Sequence, residues 1–346
     1  MRMRVAELTG VRRFQVAERE VSEPGPAEVQ VRVAAVGVCG SDLHSYSEGA
    51  VGDTPCIYPM VLGHEPAGVV VKTGSAVSGW APGDRAACEP SLFCYHCEFC
   101  LSGHHNVCAN LRFMSQPEDP GFFREYVNLP AGNLLPIPTE MSLGEATLIE
   151  PLAVVLHSMN FVQLKPGETA AVFGAGPIGL LTVIVLKLAG ASRVWSIDPV
   201  AHRLELARAV GADAVIDSQE ADAVRQIHRD TGNRGVDVSV DCGGKYDSIN
   251  QCVRVTRNAG RVVVTAIPSE VRVPVESHIW RRKELALYNV RRSNHESNAA
   301  TGILRDHAKR FGPLITHRRP LDQISQAFTQ LERYEDGVGK LLITMD

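Results

Sequence analysis

The sequence predicts an α/β protein: a small, irregular β-rich unit joined to a doubly wound parallel sheet. Three observations carry this. From Thr169 to Ile267 strand-like and helix-like runs alternate, the mark of repeated β–α–β units and a sheet covered on both faces. The first third instead holds short alternating runs, turns and prolines. After about Tyr288 the rhythm stops, and the remaining tail is too short to stand alone, so it is expected to pack back onto the first unit. A length of 346 residues agrees with two domains of roughly 100–200 residues each.

Taken in order, Glu28 to Val36 (EVQVRVAAV) alternates as a half-buried strand does, and Val69 to Lys72 is a second β-branched run between Gly68 and Gly74. In the second unit the strand candidates are TAAVFGA, RVWSID, DAVID, VDVSVDC and RVVVTAI. Helical patterns such as PIGLLTVIVLKLAG and AHRLELARAVGA lie between them, the latter closing on a glycine. The tail contains one convincing helix, around Ser325 to Glu332.

Composition excludes some functions. With 45% hydrophobic residues, 21% charged and a net charge of −4, there is no basic balance for a nucleic-acid partner. Ala170 to Leu186 carries no charge, but three glycines and a proline interrupt it. It reads as buried strand, tight turn and core helix, not as a membrane span. The N-terminal stretch lacks the apolar core of a secretory signal, and a cytoplasmic location is expected. There the nine cysteines point to metal binding and not to disulfides.

Gly174-Ala175-Gly176-Pro177-Ile178-Gly179 is a GxGxxG. Alone the pattern is weak in a chain with 30 glycines. Here an apolar strand precedes it, a helix follows, and Asp198 ends the next strand, which is the setting of a Rossmann dinucleotide site. Glycines allow a tight turn and close approach of backbone amides to a pyrophosphate, and the helix N-terminus adds positive partial charge. A carboxylate at Asp198 accepts from ribose hydroxyls and repels a 2′-phosphate, which favours NAD over NADP. Arg203 either offers a guanidinium at the ribose edge or is a solvated helix residue.

Cys94, Cys97, Cys100 and Cys108 follow C-x2-C-x2-C-x7-C. Four thiolates in one loop close tetrahedrally on Zn²⁺ at about 2.3 Å each. Such a site has no open position and is structural. An iron–sulfur centre, which also takes four cysteines, is a distant second. His96, His104 and His105 are expected at the loop surface.

Other ligand types are scattered: Cys39, Ser41, Asp42 and His44 after one strand, His64 and Glu65 before another, and Glu150-Pro151 at the end of the unit. No local spacing links them. GVCGSDLH, GHEPAGVVVKTGSAVSGWAPGDR, the four-cysteine loop, EPLAVVLH and GAGPIG occur in this order along the chain. Together they resemble the zinc-containing medium-chain dehydrogenase family, most closely its sorbitol (polyol) dehydrogenase branch. The resemblance implies a GroES-like catalytic domain, residues 1–152 and 287–346, interrupted by a Rossmann NAD-binding domain, residues 153–286. It implies a catalytic zinc on Cys39 and His64, with Glu65 or Glu150 as third protein ligand and the other holding the zinc-bound water. Asp42 would orient His64, Ser41 would contact the substrate oxygen, and His44 would help carry the proton outward. By the same resemblance Ile267 and Arg291 would join the cofactor site, and Tyr46 and Phe113 would be pocket walls.

The activity so implied is hydride transfer from a secondary alcohol of a polyol, sugar or sugar acid to NAD, in a homotetramer. The alternatives are a threonine-type or simple secondary-alcohol dehydrogenase of the same family, and a non-catalytic NAD-binding protein, which would need no open zinc. The polyol branch has an Arg-Tyr pair lining its pocket; here Arg291 matches the arginine and Arg292 replaces the tyrosine. The extra guanidinium either favours an anionic substrate, a sugar acid or a phosphorylated polyol, or faces solvent or a subunit interface.

Overall fold

The computed structural model describes residues 1–345. Among them two large sheets carry the molecule. The first has seven strands, ordered Leu134–Pro136, Arg85–Cys88, Glu65–Thr73, Glu28–Gly37, Lys340–Thr344 and Ile315–Pro320, with Tyr126–Pro130 also pairing with Glu28–Gly37. Lys340–Thr344 comes from the tail and runs antiparallel to Glu28–Gly37, Leu342 lying opposite Gly37. The tail therefore completes the first sheet, as its length implied. Helix Ile324–Glu332 packs with it, and its Phe328 meets Phe123 edge-on at 5.9 Å in the core.

The second sheet has six parallel strands: Thr169–Phe173, Arg193–Asp198, Ala214–Asp217, Val236–Asp241, Thr256–Val264 and Ala286–Asn289. In space they lie third, second, first, fourth, fifth, sixth, the doubly wound order of a dinucleotide-binding fold. Apolar clusters cover both faces, which is why the central strands read as continuous apolar runs. The uncharged stretch resolves into strand Thr169–Phe173, a glycine turn and helix Pro177–Leu188. Among the described residues no helix is long and apolar enough to cross a membrane.

Two elements escape the sequence reading. Strand Ala286–Asn289 takes the second sheet past residue 286. It is a four-residue edge strand, only partly buried, too short to show a period. Helix Ser297–Asp306 follows and packs on helix Ile149–Val162. Its first turns, SNAATG, are small and polar and read as loop.

Candidate active site

Register assembles the candidate metal centre. Glu28–Gly37 runs out into Val38 and Cys39. The neighbouring strand begins at Glu65, opposite Gly37, and on the other side Leu342 lies opposite Gly37. Cys39, His64, Glu65 and Lys340 thus arrive at one spot from three segments. Ligand atoms of Cys39, His64 and Glu65 lie within 4.8 Å of one another. Gly37 permits this approach: a Cβ there would strike the Glu65 carboxylate and come 2.8 Å from Lys340 Cε.

Asp42 stands behind His64, its Oδ1 3.3 Å from His64 Nδ1. It also accepts from Gly63 N at 3.1 Å, Ser115 Oγ at 3.2 Å and Cys39 N at 3.1 Å. Burial alone would raise the Asp42 pKa, but the charge of His64 and these bonds hold it below the usual carboxylate value. Burial likewise opposes a charged His64, yet Asp42 and Cys39 outweigh it and hold the imidazole well above its ordinary value. With Nδ1 turned to Asp42, Nε2 is free for a ligand. Lys340, also buried, pairs with Glu65 Oε2 and donates to the Val38 carbonyl at 2.9 Å. Sequence reasoning missed it, because a lysine in the run GKLLIT carries no signal of its depth.

Glu150 lies in the first turn of Ile149–Val162, where Pro151 is tolerated. It is outside the three-ligand group. Burial pushes its carboxyl up to about 8, with Glu65 and Glu89 adding to the shift and His64 and Lys340 opposing it. Ser41 is half-buried in helix Gly40–Glu48, and His44 pairs through Nδ1 with Glu48 at 2.9 Å. The two aromatic candidates part ways. Phe113 lies 5.3 Å from the His64 ring. Tyr46 is no pocket wall: it stacks on Phe14 at 5.6 Å and packs at a tilt against Phe328 at 5.0 Å in the core, where its helix turns it. Arg292 is half-buried with its guanidinium 3.8 Å over Phe113, so it packs on the ring that lies beside His64 and does not extend free into solvent.

In the cysteine lobe the sulfurs of Cys94 and Cys100 are 4.0 Å apart, Cys97 and Cys108 3.9 Å, and Cys94 and Cys108 3.4 Å. Four sulfurs tetrahedrally placed about 2.3 Å from zinc would be about 3.8 Å apart. All four cysteines are free of disulfides. The His96 backbone N–H holds the Cys94 thiol down to about 5, while burial and the neighbouring sulfurs push Cys100 up to about 12. Thiols this close cannot all ionise without a cation among them, and the set fits a closed zinc. His96 and His104 are at the surface. His105 is not: its ring packs against His295 at 4.4 Å and Phe93 at 5.6 Å. The lobe grips the segment carrying Arg292. Asn106 donates to the Arg291 carbonyl at 3.0 Å, His105 N to Asn294 Oδ1 at 3.0 Å, and Asn294 Nδ2 to the Gly103 carbonyl at 2.8 Å. Asn106 also donates to His157 Nε2 at 3.3 Å, and His157 Nδ1 meets Glu296 at 2.8 Å. Asn106, His157 and Glu296 carry no sequence signal of this role.

At the glycine loop, Gly174 has φ 95°, and a Cβ there would sit 2.7 Å from Gly243 N. A Cβ on Gly179 would strike the Gly174 carbonyl. Pro177 opens the helix, followed by Ile178. Asp198 braces the loop, accepting from Ala175 N at 2.7 Å and Val200 N at 2.9 Å. Each oxygen keeps a second lone pair for a ribose hydroxyl. Arg203 lies 4.0 Å from Asp198 Oδ2, stacked 4.4 Å over the Tyr334 ring, so it is held near the loop and not free in solvent. Ile267 and Arg291 are exposed.

The chain matches the family models for the alcohol dehydrogenase GroES-like domain over residues 25–139 and the zinc-binding dehydrogenase over residues 177–305. Sorbitol dehydrogenase of Bacillus subtilis (strain 168) is 31% identical over 341 residues, covering 99% of this chain and 97% of that one. The solved structure of a zinc-binding dehydrogenase from Sinorhizobium meliloti 1021 bound to NADP superposes with a TM-score of 0.92 at 31% identity, over 99% of each chain. That of L-idonate 5-dehydrogenase from Escherichia coli gives 0.91 at 27% identity, over 100% of this chain and 99% of that one. By sequence and fold together, the chain belongs to the zinc-dependent medium-chain dehydrogenases, in their sorbitol dehydrogenase-like branch.

Proposed function

We propose that the protein oxidises a secondary alcohol of a polyol, sugar or sugar acid with NAD, at a zinc held by Cys39, His64 and Glu65. The observation behind this reading is the convergence of those three ligand atoms within 4.8 Å. One thiolate, one imidazole and one carboxylate suit zinc with an open fourth position. Zinc bound there supplies a Lewis acid that lowers the pKa of an alcohol, and NAD supplies the hydride acceptor.

The chain's own residues do the rest. Asp42 fixes the tautomer and direction of His64. Lys340 pairs with Glu65 and holds its side chain in place. Ser41 hydrogen-bonds the alcohol oxygen, and His44, beside Glu48, carries the proton outward. Glu150, whose carboxyl feels the charges of His64 and Glu65, would hold a water at the centre, and Phe113 would wall the pocket. Asp198 favours NAD, while Arg203 is the cation that a 2′-phosphate would meet.

The test is NADH absorbance on mixing protein, NAD and a polyol panel, before and after dialysis against a chelator. Turnover should vanish on chelation and return with zinc. No turnover on any alcohol with both zincs bound would restore the non-catalytic reading. Equal rates with NADP would reject the role given to Asp198.

A further inference from the structure

We propose that Arg292 is a specificity residue that receives a carboxylate or phosphate on the substrate, so that the preferred substrate is an anionic polyol. This rests on the function proposed above and narrows its substrate class. The guanidinium lies 3.8 Å over the Phe113 ring, and that ring is 5.3 Å from His64. The cation therefore stands one aromatic ring away from the metal ligands.

Of the three carboxylates around the site two are already partnered, and Glu150 forms no hydrogen bond or ion pair among the described residues. Glu65 pairs with Lys340, and Glu89 accepts from Ser297 Oγ at 3.1 Å and Ser91 N at 3.2 Å. Arg292 feels the charges of Glu150 and Glu89, yet among the described residues it forms neither a hydrogen bond nor an ion pair. Burial and the adjacent Arg291 bring its pKa down to about 10, which leaves it a cation at neutral pH. No Arg292 nitrogen is among the buried unpartnered atoms, so its half-buried guanidinium, without a protein partner, keeps N–H donors open to an entering acceptor. A two-oxygen anion matches its planar fork.

The position is also built. Arg292 has φ 53°, a left-handed conformation that a long side chain adopts only when its surroundings impose it. Asn106 bonds the carbonyl before it, and Asn294 is tied to the cysteine lobe after it. The alternative, an internal counter-charge for Glu150 and Glu89, calls for an ion pair that is not made.

The experiment measures kcat/KM of the zinc-loaded enzyme with NAD for matched hexitols, hexonates and hexitol phosphates. Wild type should favour one anionic series, and the two arms tell carboxylate from phosphate. In Arg292→Met the anionic-to-neutral ratio should fall about 10- to 100-fold, the loss expected for hydrogen bonds to a charged group. Arg292→Lys should retain part of it, and serves if the Met variant does not fold. A wild-type preference for neutral hexitols, or a ratio that both variants leave unmoved, overturns the inference while leaving the proposed function intact. Calorimetry of a hexonate and a hexitol phosphate binding to the enzyme–NADH complex gives a second readout. Arg292-dependent binding without turnover of any alcohol sinks the proposed function and keeps this inference. Absence of Arg292-dependent anion binding sinks the inference.

Discussion

Lys340 brings an ammonium group to a place where 1% of the residue meets solvent, and the Glu65 carboxylate and Val38 carbonyl meet it there. Lys340→Met would leave Glu65 buried and uncompensated. Removing one partner of a buried pair costs about 3–5 kcal/mol, read as a lower urea midpoint; a midpoint equal to wild type contradicts the pairing. The sequence shows neither this lysine nor its pairing with Glu65, because burial of a charge depends on strand register and not on neighbours in the chain. Cys39 and His64 were legible only through their resemblance to a family. Phe113 and Tyr46 looked alike in sequence, and only the direction of helix Gly40–Glu48 sends Tyr46 into the core against Phe14 and Phe328.

The cysteine lobe and the segment from Arg291 to Glu296 act as one element, joined through Asn106, His105 and Asn294. Cys97→Ser opens the closed zinc set. It should lower the zinc content, lower the melting temperature and loosen the hold on Arg292; a variant with full zinc and an unchanged melt would refute the structural role. Glu296 anchors the other end, meeting His157 at 2.8 Å and Asn160 at 3.2 Å and accepting from Asn294 N. Burial would raise its pKa, but these bonds outweigh that and depress it. A depressed carboxyl pKa stabilises fully above the unfolded value, and that contribution is lost as pH falls through the folded value. Glu296→Gln should therefore cost about 1–3 kcal/mol at neutral pH, with the difference from wild type shrinking below about pH 4. A difference that stays constant into acid would reject the charged anchor. At this scale the parallel strands were readable because burial on both faces makes them apolar throughout. Edge strand Ala286–Asn289 and helix Ser297–Asp306 gave no such pattern, since only part of each is buried.

One apolar cluster runs from Ala67 and Ala87 of the first sheet to Val172 and Leu180 of the second unit. Helix Ile149–Val162 contributes Ile149, Leu152, Ala153 and Val155 to it, so Glu150 sits where the two units meet. This accounts for a site made of residues scattered through the chain, while the densest ligand cluster in the sequence, four cysteines, would close on a zinc with no position left for chemistry. That division of labour is tested most directly by measuring bound zinc and NAD reduction on the same preparations of wild type and Cys39→Ser. Wild type should hold zinc at both ligand sets and turn over. Cys39→Ser should keep the four-cysteine zinc, bind NAD, melt near wild type and lose at least about a thousandfold in kcat. Full turnover in Cys39→Ser, or loss of the four-cysteine zinc together with the activity, would contradict it.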